Sequence, residues 1–372
     1  MKITIERSVL LKSLGHIQSV VERRGTIPII SNVRLDAGDG RLEMTATDMD
    51  VAVVEYMQAE IVVPGAVTLP AHMLYEIVRK LSDGAQVGLE EKSDGASVVI
   101  SSGRSRFSLS TLPVSDFPVM ADDDLAYSFV LSTEECKALF EKTRFAMSSE
   151  ETRYYLNGVY LHAAESDGAN VLRTVATDGH RLARMEVALP SGAAGMVGVI
   201  VPRKTLTEAI KLAEEGGDEV KISLSETKIR FVCGNATLVS KLIDGTYPDY
   251  ERVIPSGNTK VMEVSAADFS KAVDRVSIVS SDKTKGVICA VETGKLTLSV
   301  NNSDQSSAQE VLEVSYDADP VEIGFNSRYL LDVMGQIEGE TVKLILADSN
   351  APVLIRDTAD EGALYVVMPM RV

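Results

Sequence analysis

The chain has no tryptophan, only three cysteines and four histidines, and 5% aromatic residues. Each scarcity excludes something. Cys136, Cys233 and Cys289 are far apart and form no C-x-x-C, so neither a disulfide framework nor a zinc knuckle is expected. Cys136 stands at a core-type helix position and reads as a buried thiol. His16, His72, His162 and His180 build no H-x-E or H-E-x-x-H pattern, and neither a Walker A nor a G-x-S-x-G string occurs. No catalytic residue, metal or cofactor is therefore expected. No apolar run approaches the roughly 18 residues of a membrane span. The opening Met1-Lys2-Ile3-Thr4-Ile5-Glu6-Arg7 lacks the apolar centre of a signal peptide, so a cytoplasmic location is expected. Hydrophobic residues are nonetheless 45% of the chain, enough for a globular core.

What is present is repetition. A helix-type stretch beginning at Ile5 recurs at Leu131 and Val264. Ile5, Leu10 and Leu14 stand over Leu131, Cys136 and Phe140, then over Val264, Phe269 and Val273. A second stretch recurs in the same order. Leu69, Leu74, Glu76 and Ile77 match Val201, Leu206, Glu208 and Ala209, then Phe325, Leu330, Asp332 and Val333. The period of about 124 to 133 residues is too long for a solenoid, whose repeats run about 20 to 50 residues. It is the size of a domain with its own core.

Alternating stretches fill the space between helices: Arg41 to Glu55, Val171 to Met185 and Lys295 to Val300. Val98–Ile100, Phe107–Leu109, Ile229–Val232 and Val342–Leu346 are strand-like as well. Ser132 and Ser265 are helix-start signals, Pro70 and Pro202 suit first turns, and Gly84 and Gly216 suit helix stops. The fold class is α+β: three similar domains, each with two helices against antiparallel sheet, over residues 1–125, 126–257 and 258–372. Linkers are expected at Ala121-Asp122-Asp123-Asp124 and Pro255-Ser256-Gly257-Asn258.

The formal net charge is -17, which argues against a nucleic-acid partner at first sight. The charge is segregated, however. The six helical segments carry about +6 and the remainder about -23. Ordinary solvated helix faces would account for that. So would six helices lining a basic inner face. Twelve helices about 10 Å across close a circle of roughly 120 Å, with axes on a ring about 38 Å wide. The hole, just under about 30 Å, admits a duplex about 20 Å wide. One chain supplies half that circle, and a head-to-tail pair would complete it. Contacts inside should then be phosphate-directed and blind to sequence.

Other classes have weaker support. Asp48-Met49-Asp50 has D-x-D spacing, but its equivalents are Asp178-Gly179-His180 and Asn302-Ser303-Asp304. A motif that drifts in this way reads as turn chemistry. Thr177-Asp178-Gly179-His180-Arg181 has no nameable nucleophile and base. A repeat scaffold that binds peptides without touching nucleic acid is the alternative from another class.

Five separated strings carry a resemblance. They are Arg106-Phe107-Ser108-Leu109-Ser110-Thr111-Leu112-Pro113, Tyr154-Tyr155-Leu156-Asn157-Gly158, Thr174 through Ala183, Tyr247-Pro248-Asp249-Tyr250, and Tyr365 through Val372. Together, in order from first residue to last, they resemble the bacterial β sliding clamps, the processivity subunits of DNA polymerase III. The resemblance implies the DNA-clamp fold: a homodimeric ring with three domains per chain, helices lining the hole, and no catalytic activity. It implies sequence-independent double-stranded DNA as the encircled partner. A clamp-loader ATPase would open the ring. The replicative polymerase and other DNA enzymes would dock by short peptides.

The partner groove that the resemblance implies comprises Leu156, Thr177, Gly179, His180, Arg181, Leu182, Pro248, Arg252, Val253, Val366, Val367, Met368, Pro369, Met370 and Arg371. Val366, Val367, Met368 and Met370 offer a soft apolar surface, and Arg181, Arg252 and Arg371 could orient a peptide's acidic end. Val366 and Val367 read equally as a final core strand, and His180 equally as a satisfied loop histidine. The resemblance directs Arg24, Tyr154, Tyr155, Arg203 and Lys204 toward DNA. The neighbouring Ser149-Glu150-Glu151-Thr152 is acidic, and His72 stands where the family can carry arginine. The seam between copies would bring Phe107 and Leu109 of one chain against Ile278 and Val279 of the other, although alternation turns half of such residues inward.

Overall fold

The structure is a computed structural model and describes residues 1–22, 27–118, 120, 125–280, 285–302 and 306–371. The first third runs β1 (Lys2–Glu6), α1 (Arg7–Val20), β2 (Asn32–Gly38), β3 (Arg41–Thr47), β4 (Val51–Gln58), β5 (Glu60–Val63), β6 (Gly65–Pro70), α2 (Ala71–Arg79), β7 (Gln86–Glu91), β8 (Ser97–Ser102) and β9 (Ser105–Ser110). The second runs β10 (Tyr127–Ser132), α3 (Thr133–Arg144), β11 (Gly158–Ser166), β12 (Ala169–Thr177), β13 (Arg181–Ala188), β14 (Val199–Pro202), α4 (Arg203–Gly216), β15 (Glu219–Leu224), β16 (Lys228–Cys233) and β17 (Ala236–Lys241). The third runs β18 (Lys260–Ser265), α5 (Ala266–Ser277), β19 (Gly286–Glu292), β20 (Lys295–Asn301), β21 (Ser307–Glu313), β22 (Val321–Asn326), α6 (Ser327–Met334), β23 (Thr341–Leu346), β24 (Val353–Asp357) and β25 (Leu364–Val367). In strands and α-helices the second and third sequences of elements are identical, and the first differs only by the extra β5.

The α+β class stands, with every strand pairing antiparallel. The repeat positions also stand, with one correction. Ile5, Leu131 and Val264 lie at the ends of strands, two residues before their helices, and so do Leu69, Val201 and Phe325. All six are buried, because each strand delivers its last inward side chain to the core that the helix then covers. Leu10, Cys136 and Phe269 are fully buried on the helices themselves, as are Leu14, Phe140 and Val273.

Helix starts follow their signals. The Ser132 hydroxyl accepts from the Glu135 N–H at 3.1 Å while the Glu135 carboxylate accepts from the Ser132 N–H at 2.9 Å, a reciprocal capping box. Ser265 accepts from the Asp268 N–H at 3.3 Å. Gly216 is the last residue of α4, with Gly217 in the left-handed region at φ +116. Gly84, at φ +71, lies beyond Arg79 in the turn toward β7 and does not stop α2. The expected break at 255–258 has neither helix nor strand, and the one at 121–124 falls outside the described residues.

Two compact units emerge. One comprises Met1–Lys137, Pro190–Val197 and Lys204–Leu242; the other Ala138–Leu189, Gly198–Arg203 and Ile243–Val372. The first holds a five-stranded sheet, β5-β1-β7-β8-β9, and an eight-stranded one, β10-β15-β16-β17-β4-β3-β2-β6. The second holds an eight-stranded sheet, β18-β23-β24-β25-β13-β12-β11-β14, and a four-stranded one, β21-β20-β19-β22. The two large sheets share one plan. Each joins four strands of one third to four of the next, through β17–β4 in one and β25–β13 in the other.

Two edges are left over. By position in the repeat β9 corresponds to β17 and β25, and β21 corresponds to β4 and β13. Among the described residues, the outer edge of each has no neighbouring strand. Among these residues no helix is long and apolar enough to cross a membrane.

Candidate partner-binding site

The groove residues lie in the second unit around the β13–β25 seam of its eight-stranded sheet, with Leu182 and Val366 on one face and the paired Arg181 and Val367 on the opposite, helix-covered face. Leu182 pairs with Val366, and Val366 with Leu354. Side chains one strand apart on this face converge into an apolar cluster. It contains Leu156, Val175, Leu182, Ile200, Tyr247, Tyr250, Leu354, Leu364 and Val366, with Tyr155, Tyr160, Ile243, Ile254 and Ile345 packed on it. Leu156, Thr177, Leu182, Val366 and Val367 are buried, while Gly179, His180, Pro248, Arg252, Val253, Met368 and Arg371 are exposed around them. Val175, Ile200, Leu354 and Leu364 are members that sequence reasoning missed, and Tyr247 and Tyr250 were read only as part of a family string and not as groove residues. The signal of the first four was the two-residue period of β12, β14, β24 and β25, but only the register shows which strands share a face.

The rim is held by turns. Asp178 accepts from the N–H groups of His180 at 2.9 Å and Arg181 at 3.0 Å, as Asp48 does for Asp50 at 2.9 Å and Val51 at 2.7 Å. The D-x-D strings are turn chemistry. In the third copy, Ser303 and Asp304 lie outside the described residues. Gly179 takes φ +89, and an added Cβ would stand 2.8 Å from Arg153 Nη1. His180 is exposed and stacks on Tyr329, 6.2 Å between ring centres.

Arg181 does not reach outward. Its guanidinium donates to Asp178 at 3.1 Å, to Asp332 and to the Phe145 carbonyl at 2.9 Å, and lies 4.6 Å over the Tyr329 ring. It pins α6 and the end of α3 to the rim. Arg252, whose side chain is 83% exposed and pairs with Asp249 at 2.6 Å, and the exposed Arg371 are cations that can meet a ligand. The tail continues the sheet: Met368 N–H donates to the His180 carbonyl at 2.9 Å, and Met370 N–H to that of Gly324 at 2.8 Å.

A polar ladder underlies the aromatic wall. Tyr247 stacks on Tyr160 at 4.8 Å, and Tyr160 on His162 at 4.5 Å. The Tyr250 hydroxyl lies 3.0 Å from His162 Nε2 and accepts from Arg173 at 2.7 Å; Arg173 also donates to Glu186 at 2.6 Å and Glu251 at 2.7 Å. His162 Nδ1 sits 3.0 Å from the Ala163 carbonyl, so the tautomer that satisfies both sides is Nδ1–H with Nε2 accepting from Tyr250. Burial lowers the His162 pKa despite the Ala163 carbonyl, with the Arg173 charge adding to the effect, which keeps the ring neutral.

The residues directed toward DNA are spread over both units. Tyr154 is exposed and meets Tyr155 edge-on at 5.8 Å in the second unit. Arg203, also exposed, donates to the Met147 carbonyl at 3.2 Å. Lys204, in the first unit, donates to the Val20 carbonyl at 2.8 Å and pairs with Asp48 at 2.5 Å, so a phosphate would have to compete for it. Arg24 lies outside the described residues. Of the seam residues, Phe107 is 37% and Ile278 80% exposed, and Val279 is half-buried. Leu109, two residues on and so on the same face of β9 as Phe107, is only 6% exposed opposite Val98, and it is Phe107 that the open edge leaves uncovered.

The thirds of the chain match three family models, described as the N-terminal, central and C-terminal domains of the DNA polymerase III beta subunit, over residues 1–121, 130–249 and 251–371. The chain belongs to the bacterial β sliding clamp family. It is 53% identical to the beta sliding clamp of Caulobacter vibrioides over 372 residues, and 40% identical to that of Escherichia coli K12 over 378, with all of each chain covered. Among solved structures it superposes on the Caulobacter crescentus clamp with a TM-score of 0.97 at 53% identity, covering 100% of this chain and 99% of that one. It superposes on the griselimycin-bound clamp of Bartonella birtlesii with 0.96 at 49%, covering all of both. The chain is a processivity factor of DNA polymerase III, acts with that polymerase on DNA, and is not an enzyme.

Proposed function

We propose that two copies of the chain close head to tail into a ring around duplex DNA, each copy folded as clamp domains over 1–125, 126–257 and 258–372. The ring works in the cytoplasm. The observation that carries this reading is the pair of unmatched edges. Wherever one third meets the next, a strand equivalent to β9 pairs with a strand equivalent to β21. Pairing β9 with β21 of a second copy repeats the same joint twice and closes the assembly.

Register follows from the internal joints. Phe107 occupies the position of Leu238 and Tyr365, both fully buried, and falls opposite Ala308, as Leu238 falls opposite Val53. Ile278 occupies the position of Phe145, whose ring lies 5.9 Å from that of Tyr365. The Phe107–Ile278 contact is thus the external copy of a contact each chain already makes. Leu109 contributes from the core side. Arg104 precedes β9 and Arg106 lies on it, while Glu313 and Glu310, the latter already paired with Arg275, lie on β21, so the edges carry opposite charge.

Inside the ring Arg24, Tyr154, Tyr155, Arg203 and Lys204 face the duplex. Loose, phosphate-directed contacts permit sliding, because topology rather than affinity retains the DNA. The β13–β25 groove takes short peptides of the polymerase, the clamp loader and other DNA enzymes. Its apolar floor receives side chains, and Arg252 and Arg371 meet acidic groups.

Two measurements test the reading. With a bacterial clamp loader and ATP, the protein should stay on nicked circular plasmid in moderate salt and run off the same plasmid cut once. Equal loss from both, by a dimer the loader accepts, removes the ring. Phe107→Cys with Ala308→Cys should yield a covalent dimer under mild oxidation; a monomeric product would refute the register.

A further inference from the structure

The rim of the partner groove is fastened from below. Pro248, Arg252 and Val253 belong to one segment, and two buried tyrosines tie that segment to the sheet. Tyr247 stacks on Tyr160 at 4.8 Å, and the Tyr250 hydroxyl meets both His162 and Arg173. Register puts these partners on the groove face. His162 lies opposite Arg173, and Arg173 opposite Glu186; two residues along, Tyr160 lies opposite Val175 of the apolar cluster. In the first unit Asp36, Glu43 and Tyr56 occupy the positions of His162, Arg173 and Glu186, so the shared sheet plan does not require the ladder.

The Tyr250 hydroxyl has one proton to give. Arg173 can only donate, so the hydroxyl accepts from Arg173 at 2.7 Å and gives its own proton to His162 Nε2 at 3.0 Å. That arrangement needs a neutral ring. Charging it puts a proton on Nε2; two donors then face the hydroxyl oxygen, and the hydroxyl proton loses its acceptor. Neighbouring charge does not make this good. Facing the ring are Tyr160 on its own strand, Arg173 on β12, Arg184 and Glu186 on β13, and Tyr250 and Glu251 on the rim segment. Burial raises the pKa of both tyrosines, so neither supplies a negative charge near neutrality. Glu186 accepts from Arg173 at 2.6 Å with Arg184 Nε 3.3 Å away, and Glu251 accepts from Arg173 at 2.7 Å. Both carboxylates are thus committed to arginine, and an imidazolium would stand beside Arg173 without one of its own.

We propose that His162 is a positioning residue of the partner groove and makes peptide binding there pH-sensitive: the neutral ring fixes Tyr250 and the rim segment, and the charged ring releases them and the peptide. The proposal rests on reading the β13–β25 groove as a peptide site. A bound peptide favours the neutral ring. Affinity is therefore complete above the ordinary histidine value of 6.5 and declines as pH falls through the lowered one.

The probe is acetyl-Leu-Leu-Phe-amide, which has no titrating group of its own. It is added to the intact protein labelled at its valine methyl groups, with Val253 and Val366 as reporters. The expected result is one affinity from about pH 7 to 8 and a loss of about fivefold by about pH 5, the worth of one hydrogen bond. His162→Gln should bind with a single affinity throughout, whereas His180→Gln, which removes the histidine of the rim itself, should keep the decline. A second measurement needs no variant. By linkage, saturating probe should lower the midpoint at which the His162 ring titrates by about 0.7 pH, the counterpart of a fivefold change. Equal affinity across the range, a decline that survives His162→Gln, or a His162 midpoint that the probe leaves in place would overturn the switch and leave the groove standing. Still Val253 and Val366 at pH 8 would remove the groove reading and the switch with it.

Discussion

Arg173→Met isolates the support beneath the partner groove. Arg173 and Glu186 are 3% and 10% exposed, so the substitution strands a carboxylate in a nearly dry site. Breaking a buried pair costs about 3–5 kcal/mol. Arg184 Nε lies 3.3 Å from the same carboxylate and retains part of the compensation, which sets the cost at the lower end, about 3 kcal/mol. Glu251, 67% exposed, adds nothing that water does not replace. Loss of the bond to the Tyr250 hydroxyl adds about 1 kcal/mol. At about 2–4 °C per kcal/mol, the second unit's melting transition should fall by roughly 10 °C. Arg173→Met with Glu186→Leu should recover only part of the loss, since the stranded carboxylate is gone but Arg184, 14% exposed, loses its partner at 3.3 Å. With Tyr250 freed, peptide affinity at the groove should fall roughly tenfold, about 1.4 kcal/mol. A single variant within about 1 kcal/mol of the parent, or a double variant that merely adds the two losses, would refute this account of the ladder.

Two histidines should titrate stability in opposite directions. Burial resists charging His16, but the hydrogen bond and charge of Glu55, 2.9 Å away, together with Glu215, raise its pKa above the ordinary 6.5. Its contribution to the first unit is therefore complete below that value and lost as pH rises through the raised one. His162 is shifted down, so its contribution to the second unit is complete above 6.5 and lost as pH falls through the lowered value. His16→Gln and His162→Gln should each flatten one limb of the melting-temperature profile between about pH 5 and 8, and an unchanged limb would contradict the assignment. Gly179→Ala should cost about 1–2 kcal/mol by chemical denaturation. Met49 already holds φ +82 at the equivalent turn, so a larger loss would mean that Arg153 cannot yield. Burial pushes the thiols of Cys233 and Cys289 up to about 11 and about 12, and that of Cys136 higher still. A thiol reagent at pH 8 should label none of them until the chain unfolds, and fast labelling of any one would refute its burial.

The sequence alone determined the repeat, the α+β class, the core positions of the helices and the turn role of the D-x-D strings. Period and capping are local, and a threefold repeat reports each of them three times. Boundaries slipped at Ile5, Leu69 and their copies because a strand's last inward residue and a helix's first share one burial requirement. What only the tertiary structure decided was pairing. Strand register brings Leu354 and Val175 onto the face of Leu182 and Val366, across a separation no period can report. It covers Leu109 but leaves Phe107, on the same face of the same strand, open at the sheet edge. It spends Arg181 and Lys204 on carboxylates that lie 151 and 156 residues away in the chain. A residue's type fixes which partners it can satisfy; which of them it meets is set by long-range strand order, and that exists only once the sheets have formed.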